Sequence, residues 1–202
     1  SAGSVNLRDQ NAVTLEGSAS SLNIQAGTEI SQSAALNISG TSKLIAPNID
    51  LNDSSNGFGG AVTVNAIEQA TVRASGNLSV GGIAASMNVT AQNELRLANS
   101  TVGALNAAAQ QITQSDSVTV TGATTLTAQG AILLNTSNDF GGVVTLNVAE
   151  QASIADRNDL LIQGNAETLH TEVAGTLTAG ELDIVSGTLS ANEIRMNQLR
   201  VS

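Results

Sequence analysis

The chain has 202 residues and a formal net charge of −10, with 7 Lys and Arg against 17 Asp and Glu. Its scattered cations exclude nucleic acid, whose phosphates demand clustered Lys and Arg, and they offer nothing to an anionic membrane. It has no Cys, which removes a disulfide framework or a thiolate metal site, and aromatics are only 1% of the residues.

That length suits one substantial domain. Ala and short β-branched residues supply the apolar mass, so the interior must be thin and repetitive. No uninterrupted apolar run approaches the eighteen or so residues of a membrane span, so no membrane insertion is expected. The first residues, "SAGSVNLRDQ", are no signal peptide; the expectation is a piece that is intracellular, already processed, or cut from something larger.

Along the chain, short triplets alternate apolar and polar residues. They begin with "VNL" at 5, "VTL" at 13, "LNI" at 22 and 36 and "IDL" at 49, and continue with "VTV" at 62, "MNV" at 87, "LRL" at 95, "VTV" at 118 and "VTL" at 144. A period of two marks half-buried strands, and Gly, Ser, Asn and Asp between the triplets turn the chain. Strands so short and so often interrupted do not build a sandwich. They suit a parallel β-helix in which each strand stacks on its equivalent one turn earlier. About 20 residues per rung are expected. The inward positions are Leu22, Ile24, Leu36, Ile38, Leu44, Ile49, Leu51, Val62 and Val64, then Val144, Leu146 and Val148. The alanine-rich stretch 102–112 has fair helix propensity, but its register against 20–30 makes it a strand-and-turn rung.

The chain also repeats itself on a longer scale. Residues 30–70 align without gaps onto 112–152, at an offset of 82, with 18 identities in 41 positions. Ile30-Ser-Gln-Ser33 meets Ile112-Thr-Gln-Ser115, and Gly40 meets Gly122. "NGFGGAVTVNAIEQ" (56–69) meets "NDFGGVVTLNVAEQ" (138–151), and these strings hold the only two Phe, Phe58 and Phe140. A third copy begins near the C-terminus, where 181–194 echoes 94–107 at an offset of 87. The whole chain, 1–202, is therefore expected to form a single β-helix segment with long repeats at about 30–111 and 112–193, each of roughly four rungs.

The two "N-x-F-G-G-x-V-x-x-N" strings, with tandem rungs carrying "LNI", "LTA" and "LIQG", give the whole chain a repeat texture. It resembles the shaft of the filamentous haemagglutinin-like large exoproteins, the adhesins of two-partner secretion in Gram-negative bacteria. The resemblance implies a right-handed β-helix, a secreted or cell-surface location, export by an outer-membrane partner transporter, and a role in adhesion or biofilm formation. The family's N-terminal secretion domain with its "NPNG"-type motif is missing, since the only proline is Pro47, so an internal piece is expected.

Candidate sites are few. Segments 52–60 and 135–142 interrupt the triplet rhythm and are expected to be loops leaving the coil, with Gly59-Gly60 and Gly141-Gly142 supplying backbone angles that other residues resist. Phe58 and Phe140 are the candidate ligand contacts, for a polysaccharide or a host-cell receptor. The competing expectation is that each ring folds back to cover the outside of a rung. Asp53, Asp139, Asp156 and Asp159 lack the spacing of a calcium roll, and "DRNDL" (156–160) reads as a solvated turn. His170, the only His, with Glu172 makes no complete metal site. Catalysis is not expected: a carboxylate pair must converge, whereas Glu68 and Glu150 fall about four rungs apart. No cofactor is called for. The function expected is a rigid structural shaft, with a carbohydrate- or receptor-binding module acting through the Phe-Gly-Gly loops as the alternative. An ice-binding face is disfavoured, because "VTV" and "VTL" are mixed with "LNI", "IDL" and "LRL".

Overall fold

In a computed structural model describing residues 2–201, the described chain is all strand and turn, with no helix. Its strands join one sheet, and every pairing among the described residues is parallel, from Val5 on Leu22 at one end to Ile184 on Val201 at the other. The result is a β-solenoid of about 11 turns with roughly 18 residues per turn. Individual register steps run from 17, as for Val13 on Ile30, to 21, as for Ile49 on Ala70. Turns are thus slightly shorter than the length of about 20 expected, because corners such as 26–28 and 39–41 are short. With turns about 4.8 Å apart, the rod is roughly 50 Å long.

Inward positions stack like on like. Ile24 lies on Leu44 and Leu44 on Val64, and Leu78 lies on Leu95 and Leu95 on Ile112. All twelve inward positions named above are buried, with Leu22 the most exposed at 6%. Burying a Leu, Ile or Val contributes about 1.5–3 kcal/mol, and each column repeats that contribution at every turn. Residues 102–112 run from the strand Glu94–Ala108 through a short turn into the strand Gln111–Gln114, as expected, but the register differs by one from the spacing of the long repeat. Leu105 is buried and Asn106 exposed, so "LNA" at 105 matches "LNI" at 22. A slip of one residue exchanges the two faces of a strand.

The long repeat does not contain a whole number of turns. Ile30 stacks on Ile49, then Ala70, Met87 and Leu105. Four steps thus end at Leu105, short of Ile112, the sequence equivalent of Ile30. Ile112 belongs to a different column, between Leu95 and Ala131. Equivalent residues of the two copies therefore lie on different sides of the rod. The expected four rungs per repeat become four turns and a fraction.

Two equivalent core positions carry a hydroxyl. Ser42 sits between Leu22 and Val62, and Thr124 between Leu105 and Val144. Both are buried, and neither hydroxyl has a hydrogen-bond partner. A buried unpaired hydroxyl costs about 1–3 kcal/mol. Thr124→Val keeps the shape and removes the polar atom, so it is expected to raise stability by about 1 kcal/mol, read as a higher midpoint in chemical denaturation.

Candidate functional site: two buried asparagine turns

The repeated string is organised around Asn56 and Asn138, each 0% exposed. Before each, the chain makes a short turn whose first side chain caps it. Asp53 Oδ1 accepts from Ser55 N at 2.8 Å, and Asn135 Oδ1 accepts from Ser137 N at 2.9 Å, as Asx turns do. Such a turn takes the backbone off the ladder and strands polar groups that would otherwise be paired between turns.

One amide side chain meets that need twice over. Leu36 N donates to Asn56 Oδ1 at 2.8 Å, and Asn56 Nδ2 donates to the Leu51 carbonyl at 3.2 Å. Gln32 closes a ring with it: Gln32 Nε2 donates to Asn56 Oδ1, and Asn56 Nδ2 to Gln32 Oε1, both at 2.9 Å. The second copy repeats the arrangement. Val118 N donates to Asn138 Oδ1 (2.9 Å), Asn138 Nδ2 donates to the Leu133 carbonyl (3.2 Å), and the ring with Gln114 has two bonds of 3.0 Å. The backbone decides which way each amide points, since Leu36 and Val118 present donors and Leu51 and Leu133 acceptors. An amide has two lone pairs on its carbonyl and two N–H donors, so it serves both and still closes the ring with the glutamine.

The loops expected at 52–60 and 135–142 therefore do not leave the coil. Gly57–Phe58 and Asp139–Phe140 return at once as short strands on Asn37–Ile38 and Thr119–Val120. Phe58 and Phe140, the candidate ligand contacts, are core side chains, 7% and 1% exposed. A ring stacked on Ile38 or Val120 has no face to offer a sugar or a receptor. The glycines that follow also have a different role from the one expected. Among the described residues, positive φ occurs at Gly17, Gly82 and Gly164, not at Gly59, Gly60, Gly141 or Gly142. Gly60 lies on Gly40, where a Cβ would come within 2.6 Å of the Gly40 carbonyl carbon. Gly142 lies on Gly122, where a Cβ would come within 2.4 Å of the Gly122 oxygen. Close approach of two backbones, not an unusual φ, requires glycine there.

The copies differ in charge. Where the first has Gly57 and Ala74, the second has Asp139 and Asp156. Asp156, expected in a solvated turn, is buried at 2% exposure. Its carboxylate accepts from Phe140 N and Asn158 N, both at 2.7 Å. Burial pushes its pKa above the ordinary 3.8, with Asp139 adding to the rise; the two backbone donors and Arg157 oppose it. Asp139 in turn pairs with Arg157 and accepts from Asn158 Nδ2 at 3.1 Å. Asp159 Oδ1 accepts from Thr176 N at 2.7 Å, just as Asn77 Oδ1 accepts from Glu94 N at 3.3 Å, so the equivalence of the two copies runs on to 176.

The other candidates stay apart. His170 Nε2 lies 3.2 Å from Glu172 Oε1 on the outer surface. Glu68 accepts from Asn48 Nδ2 at 2.7 Å, and Glu150 lies on another side of the coil. Among the described residues, no three or more His, Cys, Asp or Glu side chains are grouped to hold a metal ion, and no helix is long and apolar enough to cross a membrane. The roles of Asn56, Asn138, Gln32 and Gln114 were missed in the sequence. The available signal was that both residue types match in both copies, at the same separation of 24.

The fold and its paired turns define a class, the parallel β-solenoid built from tandem long repeats. Within it, the chain belongs to the family described as Repeats of unknown function (DUF5649), which matches residues 2–65 and again 84–147. The second match is displaced from the first by the same spacing that separates Asn56 from Asn138. No curated protein and no solved structure matches the chain.

Removing one member of the amide ring strands the buried groups of the other. Asn138→Ala and Gln114→Ala are each expected to destabilise the fold by about 1–3 kcal/mol. The double variant should lose clearly less than the sum, as residues in one network do; a double-mutant cycle by chemical denaturation checks this. For Asp156 the folded pKa lies above the unfolded one, so its contribution to stability is greatest below pH 3.8 and falls as pH rises through the raised value. Asp156→Ala, which leaves two backbone donors without their acceptor, should cost about 1–3 kcal/mol, and the cost should be larger below pH 3.8 than at neutral pH.

Proposed function

We propose that the chain is a rigid structural shaft in a secreted or cell-surface adhesin of a Gram-negative bacterium, supporting adhesion or biofilm formation without catalysing a reaction. The observation that carries this is the continuity of the stack. Parallel ladders run from the first turn to the last, and even the repeated Asn-turn strings spend their polar groups on keeping that ladder satisfied. A stack of this kind resists bending because a change in spacing between turns breaks several backbone hydrogen bonds at once, each worth about 0.5–1.5 kcal/mol net. The family's being one of repeats supports the same reading, as does the resemblance of the strings to the shafts of two-partner secretion exoproteins. On this reading the parent protein leaves the cell through an outer-membrane partner transporter. The alternative, a carbohydrate- or receptor-binding module using Phe58 and Phe140, loses support from the burial of both rings.

The test is an exchange in the parent protein. Replacing residues 1–202 with an unrelated β-solenoid of equal length should preserve adhesion, whereas deleting them should reduce it. Soluble fragment should not compete with adhering cells. Saturable competition by the isolated fragment would overturn the shaft in favour of a binding module.

A further inference from the structure

The chain contains one Asn-Gly pair, Asn56-Gly57, and it falls at the centre of the first amide ring. Asn-Gly is the most reactive of asparagine pairs, because a backbone nitrogen whose own residue has no side chain can attack the amide carbon before it. The fold gives no reason of its own for that glycine. Gly57 lies outside the positive-φ region, and a Cβ built on it would meet only Asn37 Oδ1 and Cγ, at 3.5 and 4.0 Å, which is ordinary contact. The second copy carries Asp139 at the equivalent position and closes the same ring. Asn56, in contrast, is 0% exposed. Its amide is fixed by the bonds it accepts from Leu36 N and Gln32 Nε2 and by those it donates to the Leu51 carbonyl and Gln32 Oε1.

We propose that Asn56 is a modification site guarded by the fold: in the unfolded chain it converts spontaneously to aspartate and isoaspartate, and the product no longer closes the turn. The only co-reactant is water. Gly57 N loses its proton and bonds to Asn56 Cγ, the Cγ–Nδ2 bond breaks, and Nδ2 leaves as ammonia. Water then opens the five-membered imide at either carbonyl carbon, which gives aspartate or isoaspartate with no change of oxidation state. The first step needs the amide to rotate onto Gly57 N, and inside the ring that rotation breaks every hydrogen bond the side chain makes. Reaction therefore passes through opened chain. The same geometry excludes the product. A carboxylate only accepts, so the Leu51 carbonyl and Gln32 Oε1 lose their donor in a site with 0% exposure, and burying the new charge adds to the cost. Isoaspartate also inserts a methylene group into the backbone just before the strand Gly57–Phe58, which pairs with Asn37–Ile38. Asn138, in an equivalent ring, is followed by Asp139, whose side chain crowds the attacking nitrogen, so the second copy resists. The first turn thus keeps a one-way record of time spent unfolded. The inference stands on this turn alone and does not depend on the shaft reading.

Peptide mass mapping over time, on the chain unfolded in denaturant at mildly alkaline pH, reads the chemistry. Asn56 should convert to aspartate and isoaspartate faster than Asn138. Gly57→Ala, whose Cβ the fold accommodates, should slow Asn56 to about the rate of Asn138. In buffer, where the chain is folded, conversion at Asn56 should be at least about ten-fold slower, since opening must break the ring. When chains aged in denaturant are diluted out of it, converted molecules should be missing from the protease-resistant fraction. Gly57→Ala chains aged alongside should refold as well as fresh ones, which separates this loss from other damage of ageing. Equal rates at Asn56 and Asn138 in denaturant would overturn the proposal, as would equal rates at Asn56 in the folded and unfolded chain. Converted chains that refold as well as fresh ones would overturn the exclusion of the product.

Discussion

Backbone hydrogen bonds between successive turns hold them about 4.8 Å apart, and almost every other feature follows from that spacing. At this distance a side chain meets its counterpart in the turn below before it meets anything else. Inward positions must therefore be compatible one turn at a time, which gives the Ile24–Leu44–Val64 column. Where the corners bring backbone onto backbone, no Cβ fits, and Gly60 must lie on Gly40 and Gly142 on Gly122. The near-absence of aromatics has the same origin. A large ring fits poorly into a narrow, regular stack, and both Phe side chains come directly after the turns that interrupt the ladder.

The buried asparagines are the cost of departing from that regularity. An extra turn interrupts the ladder and leaves donors and acceptors facing the core. Asn56 and Asn138 answer with one carbonyl and one NH₂ each, held by Gln32 and Gln114. In the second copy Asn138 Nδ2 also reaches the Ala155 carbonyl at 3.3 Å, and the Asp156 carboxylate takes the backbone donor of Phe140. The same turn is thus more heavily bonded in one copy than in the other, at the expense of a buried carboxyl group.

The mismatch between repeat and turn shapes the outside of the rod. Because four turns end short of one repeat, equivalent strings face different directions, and a feature carried by both copies cannot form a continuous line along the axis. An outward column such as Asn88, Asn106, Thr125 and Thr145 arises instead from non-equivalent residues that register brings together. The same mismatch alters the objection to an ordered face drawn from mixed triplets. "LRL" at 95 lies on another side of the coil from "VTL" at 144, so the triplets do not all share one surface.

By itself the sequence determined the class of fold, the inward residues and the long repeat. Alternation of apolar and polar residues is a local consequence of strand geometry, and identity between copies can be read without coordinates. It did not reveal that Phe58, Phe140 and Asp156 are buried, or that Asn56 pairs with Gln32. Each of these depends on which residue occupies the neighbouring turn, a partner separated by 16 to 24 along the chain, and that partner changes as the turn length varies from 17 to 21. A string of Asn, Phe and two Gly is equally compatible with a loop tip and with a core turn. Only the accumulated register of the stack, set by the lengths of all the corners before it, decided that the string turns inward.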